Sequence, residues 1–270
     1  MIERSALIPI VESFSGKAVL CVGDAMLDRY VYGVVQRISP EAPIPVLRVE
    51  HEANMLGGAG NVLRNLLALG VRASIVTMSG DDGAGKEVQS LLARCEGAKA
   101  AVTIAPERKT TVKTRFFAGN QQLLRCDQET VEPTPASIQR QILANATEMM
   151  CDHAVILVSD YAKGAVDGLV SQDLIGAAHR WGRYVIVDPK GHDYDRYRGA
   201  DVITPNRQEL EQAVGRSLSP GQEADAARDL ADHFGFGAVI VTLGKEGMML
   251  ATRDGAVSHM PTDAREVYDV

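Results

Sequence analysis

Apolar runs of four or five residues recur along this chain, and most stop at a charged or amide residue. Residues 18–22 (AVLCV) end at Gly23-Asp24, 154–158 (AVILV) at Ser159-Asp160, and 184–187 (YVIV) at Asp188-Pro189-Lys190. Residues 74–78, 201–204 and 238–242 (AVIVT) repeat the pattern, the last running toward Gly244. Between the runs lie stretches with apolar residues at helical spacing, over 60–69, 85–95, 137–150, 166–181 and 221–234, and a further helix opens near Asn206. Strands that are apolar throughout have both faces covered. The pattern therefore predicts an α/β fold, a doubly wound, mostly parallel sheet flanked by helices. Ligands of such sheets bind beyond the carboxyl ends of the strands. Asp24, Asp28, Asp160, Asp188, Lys190, Asn206 and Gly244 all fall there.

Two segments break the rhythm. Residues 30–49 and 110–125 are rich in β-formers and carry turn residues in their middles, so they read as hairpin strands rather than βαβ units. They predict a small accessory β-sheet, a lid or a dimer surface, with strands approximately within 30–50 and 108–127. Without internal repeats or a long linker, residues 1–270 read as one domain.

Composition narrows the function classes. Apolar residues make up 46% and charged residues 23%, as in ordinary soluble globular chains. A formal charge of −7 opposes nucleic acid as a partner. Basic residues do gather at Arg108, Lys109, Lys113, Arg115 and Arg125; a small-anion site and a solvated strand surface both fit them. Cys21, Cys95, Cys126 and Cys151 form no C-x-x-C pair, and the six histidines form no H-x-x-x-H pair. No apolar run reaches the ~20 residues of a membrane helix, and the first residues lack a leader's basic start and apolar core. A reducing, cytoplasmic setting without a membrane partner is the expectation.

Three motifs carry chemistry. Gly57-Gly58-Ala59-Gly60-Asn61 precedes a helix, where glycines admit a ligand to the backbone and the helix start offers N–H groups. A tight turn with close helix packing explains the same residues. Thr204-Pro205-Asn206-Arg207-Gln208-Glu209 places an amide and a carboxylate at a helix start, where they could hold Mg²⁺ or its waters. It also satisfies the rule for a capping box. Val241-Thr242-Leu243-Gly244-Lys245-Glu246-Gly247 could receive phosphate or ribose on backbone amides, and is equally an ordinary turn between strands. Asp160, Lys163, Asp188 and Lys190 suit hydroxyls and phosphates, or salt bridges among themselves. A nucleophile elbow, a Walker-type phosphate loop and a dinucleotide fingerprint are all missing from the sequence.

The order of these motifs carries a resemblance. A first strand ending in GD, then GGAGN, TPNRQE and VTLGKEG resembles the ribokinase (PfkB-type) carbohydrate kinase family along essentially the whole chain. GDAMLDRY at 23–30, RISPEAPIPVL at 37–47, DYAKG at 160–164 and DPKGHDYDRYRGADVITPN at 188–206 resemble its heptose-7-phosphate kinase branch. The resemblance implies ATP and Mg²⁺ as cofactors and a sugar phosphate as substrate. It implies sugar contacts at Asp28, Gly57, Gly58 and Asn61, with Asp160 and Lys163 on the same rim. Lys113 and Arg115 would meet the 7-phosphate, for which the planar Arg fork is suited. Asp188, Lys190, Asn206, Thr242, Gly244 and Gly247 would serve the nucleotide, and Glu209 the metal. The accessory strands match a lid that pairs with a second subunit's, implying a homodimer.

The family's next segment, G-A-G-D, supplies an anion hole and the catalytic aspartate. The sequence given stops at Tyr268-Asp269-Val270, so no residue within 1–270 matches that base, and Asp269 is not promoted to it. The expectation is that residues 1–270 bind sugar phosphate but turn over poorly. Another sugar or nucleoside kinase of the family, or a non-catalytic sugar-phosphate-binding module, are the alternatives.

Overall fold

The computed structural model describes residues 4–262. After α1 (Arg4–Glu12), the chain enters β1 (Ala18–Gly23), which is buried from end to end. Only Asp24 separates it from β2 (Ala25–Ile38), which hairpins into β3 (Pro45–Gly58). Then come α2 (Ala59–Ala68), β4 (Arg72–Ser79), α3 (Gly83–Ala93) and β5 (Lys99–Ile104). A second hairpin, β6 (Val112–Ala118) and β7 (Gln121–Gln128), leads into α4 (Ala136–Met150). The remainder alternates: β8 (Val155–Ser159), α5 (Gly168–Arg180), β9 (Tyr184–Asp188), β10 (Val202–Ile203), α6 (Arg207–Val214), α7 (Glu223–Phe234), β11 (Ala238–Thr242) and the ribbon β12 (Met248–Thr252) and β13 (Val257–Met260).

Nine strands form one sheet in the order β13-β12-β11-β10-β9-β8-β1-β4-β5, with parallel pairing throughout except that β12 is antiparallel to both of its neighbours. The chain winds outward from β1 to β5 on one side and from β8 to β11 on the other. The direction of winding reverses between β1 and β8, which opens a crevice at their carboxyl ends. Alternate β1 side chains serve two cores. Leu20 and Val22 join Ile142 and Met150 of α4 and Val170 and Leu174 of α5. Cys21 joins Leu63 of α2 and Val88 and Leu92 of α3 on the opposite face. The α/β architecture is thus the expected one, because both faces of each central strand are covered.

The smaller sheet, β3-β2-β6-β7, is longer than the sequence suggested. Its strands reach Ala25 and Gly58, not residues 30 and 50. At its root Ala25, Met26, Leu27 and Leu56 are buried, and Leu27, Leu56 and Val112 belong to the α2–α3 core. With both faces covered there, the hairpin's two-residue alternation is lost. The two hairpins join through the parallel pair β2–β6, in register from Leu27–Val112 to Gly33–Ala118. The sequence reading also passed over α1, which contains Pro9, and the edge strand β5, where only Thr103 is fully buried.

Candidate active site

Asp24 holds the crevice together. Its carboxylate is 2% exposed and accepts three backbone N–H groups of the loop after β8: Tyr161 at 2.8 Å, Lys163 at 3.0 Å and Ala165 at 2.8 Å. Its carbonyl accepts the N–H of Ala59, the first residue of α2, at 2.9 Å. Burial pushes the Asp24 carboxyl up from its ordinary pKa against the pull of those donors. One residue thereby fixes the 160–165 loop relative to the glycine turn at the head of α2. Gly58 has φ +55°, and an added Cβ would run into the Asp24 carbonyl. The Gly57-Gly58 pair ends β3 rather than forming a free loop, and Asn61 is exposed on the first turn of α2.

Asp28 and Arg115 meet across the β2–β6 pair, with Nη1 donating to Oδ1 at 2.7 Å and both side chains under a fifth exposed. Arg115 also lies over the Tyr30 ring, 5.3 Å from its centroid. Lys113 stands opposite Asp28 in register, on the same face of the sheet, and is half-buried. A Cβ on Gly57 would overlap the Asp28 carboxylate. Asp28, Gly57, Lys113 and Arg115 are therefore brought together, although they come from three strands.

The wider basic cluster is not one site. Arg108 is buried and donates to the carbonyls of Glu132, Thr130 and Lys163, bracing the loops beneath the crevice. Arg125 pairs with Asp127 at 3.0 Å. Lys109 is exposed beside them.

Asp160 and Lys163 are more engaged than open sugar ligands would be. Asp160 accepts from Ala162 N–H at 2.6 Å, from the Tyr197 hydroxyl at 2.6 Å and from Arg196. Lys163 pairs with Glu129 at 2.7 Å. Both still line a cavity of about 280 Å³ bounded by Thr134, Gly164, Asp167 and Arg196.

On the other side of the crevice, Lys190 Nζ donates to Glu209 Oε1 at 2.7 Å. The second Glu209 oxygen accepts Asn206 N–H at 2.9 Å, and Asn206 Oδ1 accepts Glu209 N–H at 2.9 Å, so the capping box is formed in full. Asp188 lies alongside. Burial first, and the Glu209 charge second, push its carboxyl up to about 6, opposed by Lys190 and a Thr204 hydrogen bond. Two carboxylates that repel each other fit a divalent cation. Because both Glu209 oxygens already have donors, the donor set fits a cation held largely through water, as Mg²⁺ prefers. Among the described residues, no group of three acidic, His or Cys side chains forms a metal cage.

Thr242 is exposed at the end of β11 and bridges to Asn206 in parallel register. Gly244 and Gly247 bound a short 3₁₀ turn with φ +57° and +93°, so the glycine turn after β11 leads into β12 as the sequence suggested. Tyr268, Asp269 and Val270 lie outside the described residues.

The roles of two residues escaped the sequence reading. Asp24 was visible as a strand-end residue, but not as the acceptor for a loop more than 130 residues away. Tyr197, fully buried in a 3₁₀ turn, lies inside the 188–206 stretch but was given no role of its own.

Residues 17–270 match the family model described as pfkB family carbohydrate kinase. The chain is 50% identical over its whole length to the "Bifunctional protein HldE" of Paramagnetospirillum magneticum, covering 56% of that protein. It is 47% identical to the protein of the same name from Rhodospirillum rubrum, over 98% of this chain and 54% of that one. The chain thus spans about half the length of the curated relatives it matches. Escherichia coli phosphofructokinase-2 in complex with fructose-6-phosphate superposes with a TM-score of 0.74 at 21% identity, over 94% of this chain and 82% of that one. Arabidopsis thaliana ribokinase, complexed with ribose and ATP, gives 0.66 at 17% over 94% and 81%. These two likenesses show the fold.

Proposed function

Because the chain belongs to the pfkB family of carbohydrate kinases, we propose that it phosphorylates D-glycero-β-D-manno-heptose 7-phosphate at O1. The products are the 1,7-bisphosphate and ADP, and the step serves ADP-heptose synthesis for the lipopolysaccharide inner core. The bacterial cytoplasm, where ATP is available, is its setting.

One observation supports the reading: charged and polar side chains cluster in two places, on the small sheet and beyond the carboxyl ends of the large one. Asp28, Gly57, Lys113 and Arg115 stand at one side, and Asp188, Lys190, Asn206 and Glu209 at the other. On the sugar side, Asp28 accepts hydroxyl protons and the glycine turn lets the ring approach the backbone, with Asn61 within the first turn of α2. Lys113 and Arg115 offer the charge that a terminal phosphate needs. Asp160 and Lys163 shape the floor between the halves. On the nucleotide side, Lys190 meets phosphate oxygens, while Thr242, Gly244 and Gly247 receive the rest of ATP. Mg²⁺, held through water by Glu209 and Asp188, would neutralise phosphate charge during transfer. The work left to this chain is alignment of the two substrates and exclusion of water.

The small sheet closes over the sugar and pairs with a second copy. Its outer groove of about 400 Å³, lined by Val31, Val49 and Phe116 together with Arg29, Glu52 and Asp127, is the surface proposed for that pairing.

The deciding experiment is ADP release by the full-length natural protein with ATP and Mg²⁺, comparing heptose 7-phosphate, fructose 6-phosphate and ribose. A strong preference for the heptose supports the reading. Equal activity on all three reduces it to a sugar kinase of this family, and saturable binding without turnover indicates a sugar-phosphate-binding module.

A further inference from the structure

One buried hydroxyl links the loop after β8 to the nucleotide side of the crevice. Tyr197 Oη donates to Asp160 Oδ2 at 2.6 Å and accepts the backbone N–H of Lys190 at 3.2 Å. Lys190 Nζ in turn reaches Glu209. The chain of contacts runs from the sugar-side loop through Asp160, Tyr197 and Lys190 to the capping box of α6. The ring is 0% exposed and packs edge-on against Tyr194 at 5.8 Å, with the Arg196 guanidinium 5.0 Å from its centroid. Burial pushes the phenol up to about 12, so the hydroxyl keeps its proton at neutral pH and remains a donor to Asp160.

A tyrosine with an apolar shell needs no hydroxyl to pack. A buried hydroxyl carries a desolvation cost and persists where its hydrogen bonds do something. Here the proton goes to a carboxylate at the end of β8 and a lone pair to the peptide that launches Lys190 from the end of β9. Lys190 is on a loop, its side chain half exposed, and a single glycine, Gly191 at φ +85°, follows it before the 3₁₀ turn. The Tyr197 contact ties that peptide to a fully buried anchor.

We propose that Tyr197 is a positioning residue for the nucleotide phosphates: its hydroxyl sets the Lys190 backbone relative to Asp160, and so aims the Lys190 ammonium at phosphate oxygens. This deepens the kinase reading and rests on Lys190 meeting phosphate.

The test is Tyr197→Phe in the full-length natural protein, which keeps the ring and its packing. Calorimetric titration compares the Mg²⁺ complex of a non-hydrolysable ATP analogue with adenosine, which lacks phosphates. The expected result is an analogue affinity about three- to tenfold weaker, the size of one lost net hydrogen bond, with adenosine unchanged. In a Lys190→Met background the same Tyr197→Phe change has no further effect on analogue affinity, because the group it positions is gone. Equal loss for adenosine and the analogue indicates general loosening and overturns the proposal, as does an unchanged analogue affinity. Additive losses in the double variant overturn it too. If the wild-type protein binds the nucleotide but leaves heptose 7-phosphate untouched, the substrate reading fails while these affinities still decide the role of Tyr197.

Discussion

Arg115 and Asp28 lie 87 residues apart in the chain and 2.7 Å apart in space, joined across the parallel pair of β2 and β6. The contact sets a cation and a carboxylate from two neighbouring strands of the small sheet against each other. Since both side chains are mostly shielded, the pair is organised before any substrate arrives.

Neutralising Lys113 and Arg115 together, as Lys113→Met and Arg115→Met, should therefore separate charged from neutral substrates. We expect KM for heptose 7-phosphate to rise by about tenfold or more, the scale of lost charge-assisted hydrogen bonds. A neutral sugar should change little. Steady-state kinetics on both substrates reads the difference, and an equal effect on the two would place the pair away from the phosphate.

Glu209→Gln distinguishes the two roles of that residue. Glutamine at the third helical position still accepts the Asn206 N–H, so the capping box survives. The Lys190 contact loses its charge. Thermal unfolding should show a stability change within about 1 kcal/mol. Affinity for Mg²⁺–ATP should drop by about tenfold or more. Intact nucleotide affinity would leave Glu209 as a helix cap alone.

Asp188 titrates near pH 6 in the folded chain, above its ordinary value of 3.8, chiefly through burial and then the Glu209 charge. The folded state thus holds this proton more tightly than the unfolded one. The Asp188 contribution to stability therefore declines as pH rises from about 4 to about 6, and stays at its lower level above that. Asp188→Asn should be more stable than the wild type at pH 7 to 8, on the order of 1–3 kcal/mol, and equal to it below pH 4. Denaturant titrations at three pH values test the sign.

Ala162 has φ +56°, the left-handed region that residues with a Cβ rarely adopt. Its N–H donates to Asp160 at 2.6 Å within the loop that Asp24 holds. Replacing it with glycine relieves the strain, offset by glycine's greater freedom in the unfolded chain. The expected balance is a gain of about 0.5–1 kcal/mol in unfolding free energy, read by chemical denaturation. A loss would mean that the methyl group contributes packing.

The architecture was legible in the sequence because a strand covered on both faces must be apolar throughout, and the runs at 18–22, 154–158, 184–187 and 238–242 say so directly. Their polar stops marked the crevice, since the chain leaves a parallel sheet at its carboxyl edge before turning into a helix. The capping box at Asn206 and Glu209 is local, so the four residues 206–209 specified it. What joins the rim is not local. The acceptor role of Asp24, the Asp28–Arg115 pair, the use of Arg108 as a brace for three carbonyls and the bridge through Tyr197 all link segments far apart in the chain. Side-chain type allows each of these contacts and also many others. Only the winding of β1, β8 and β9 side by side, with β6 laid against β2, decides which donor meets which acceptor.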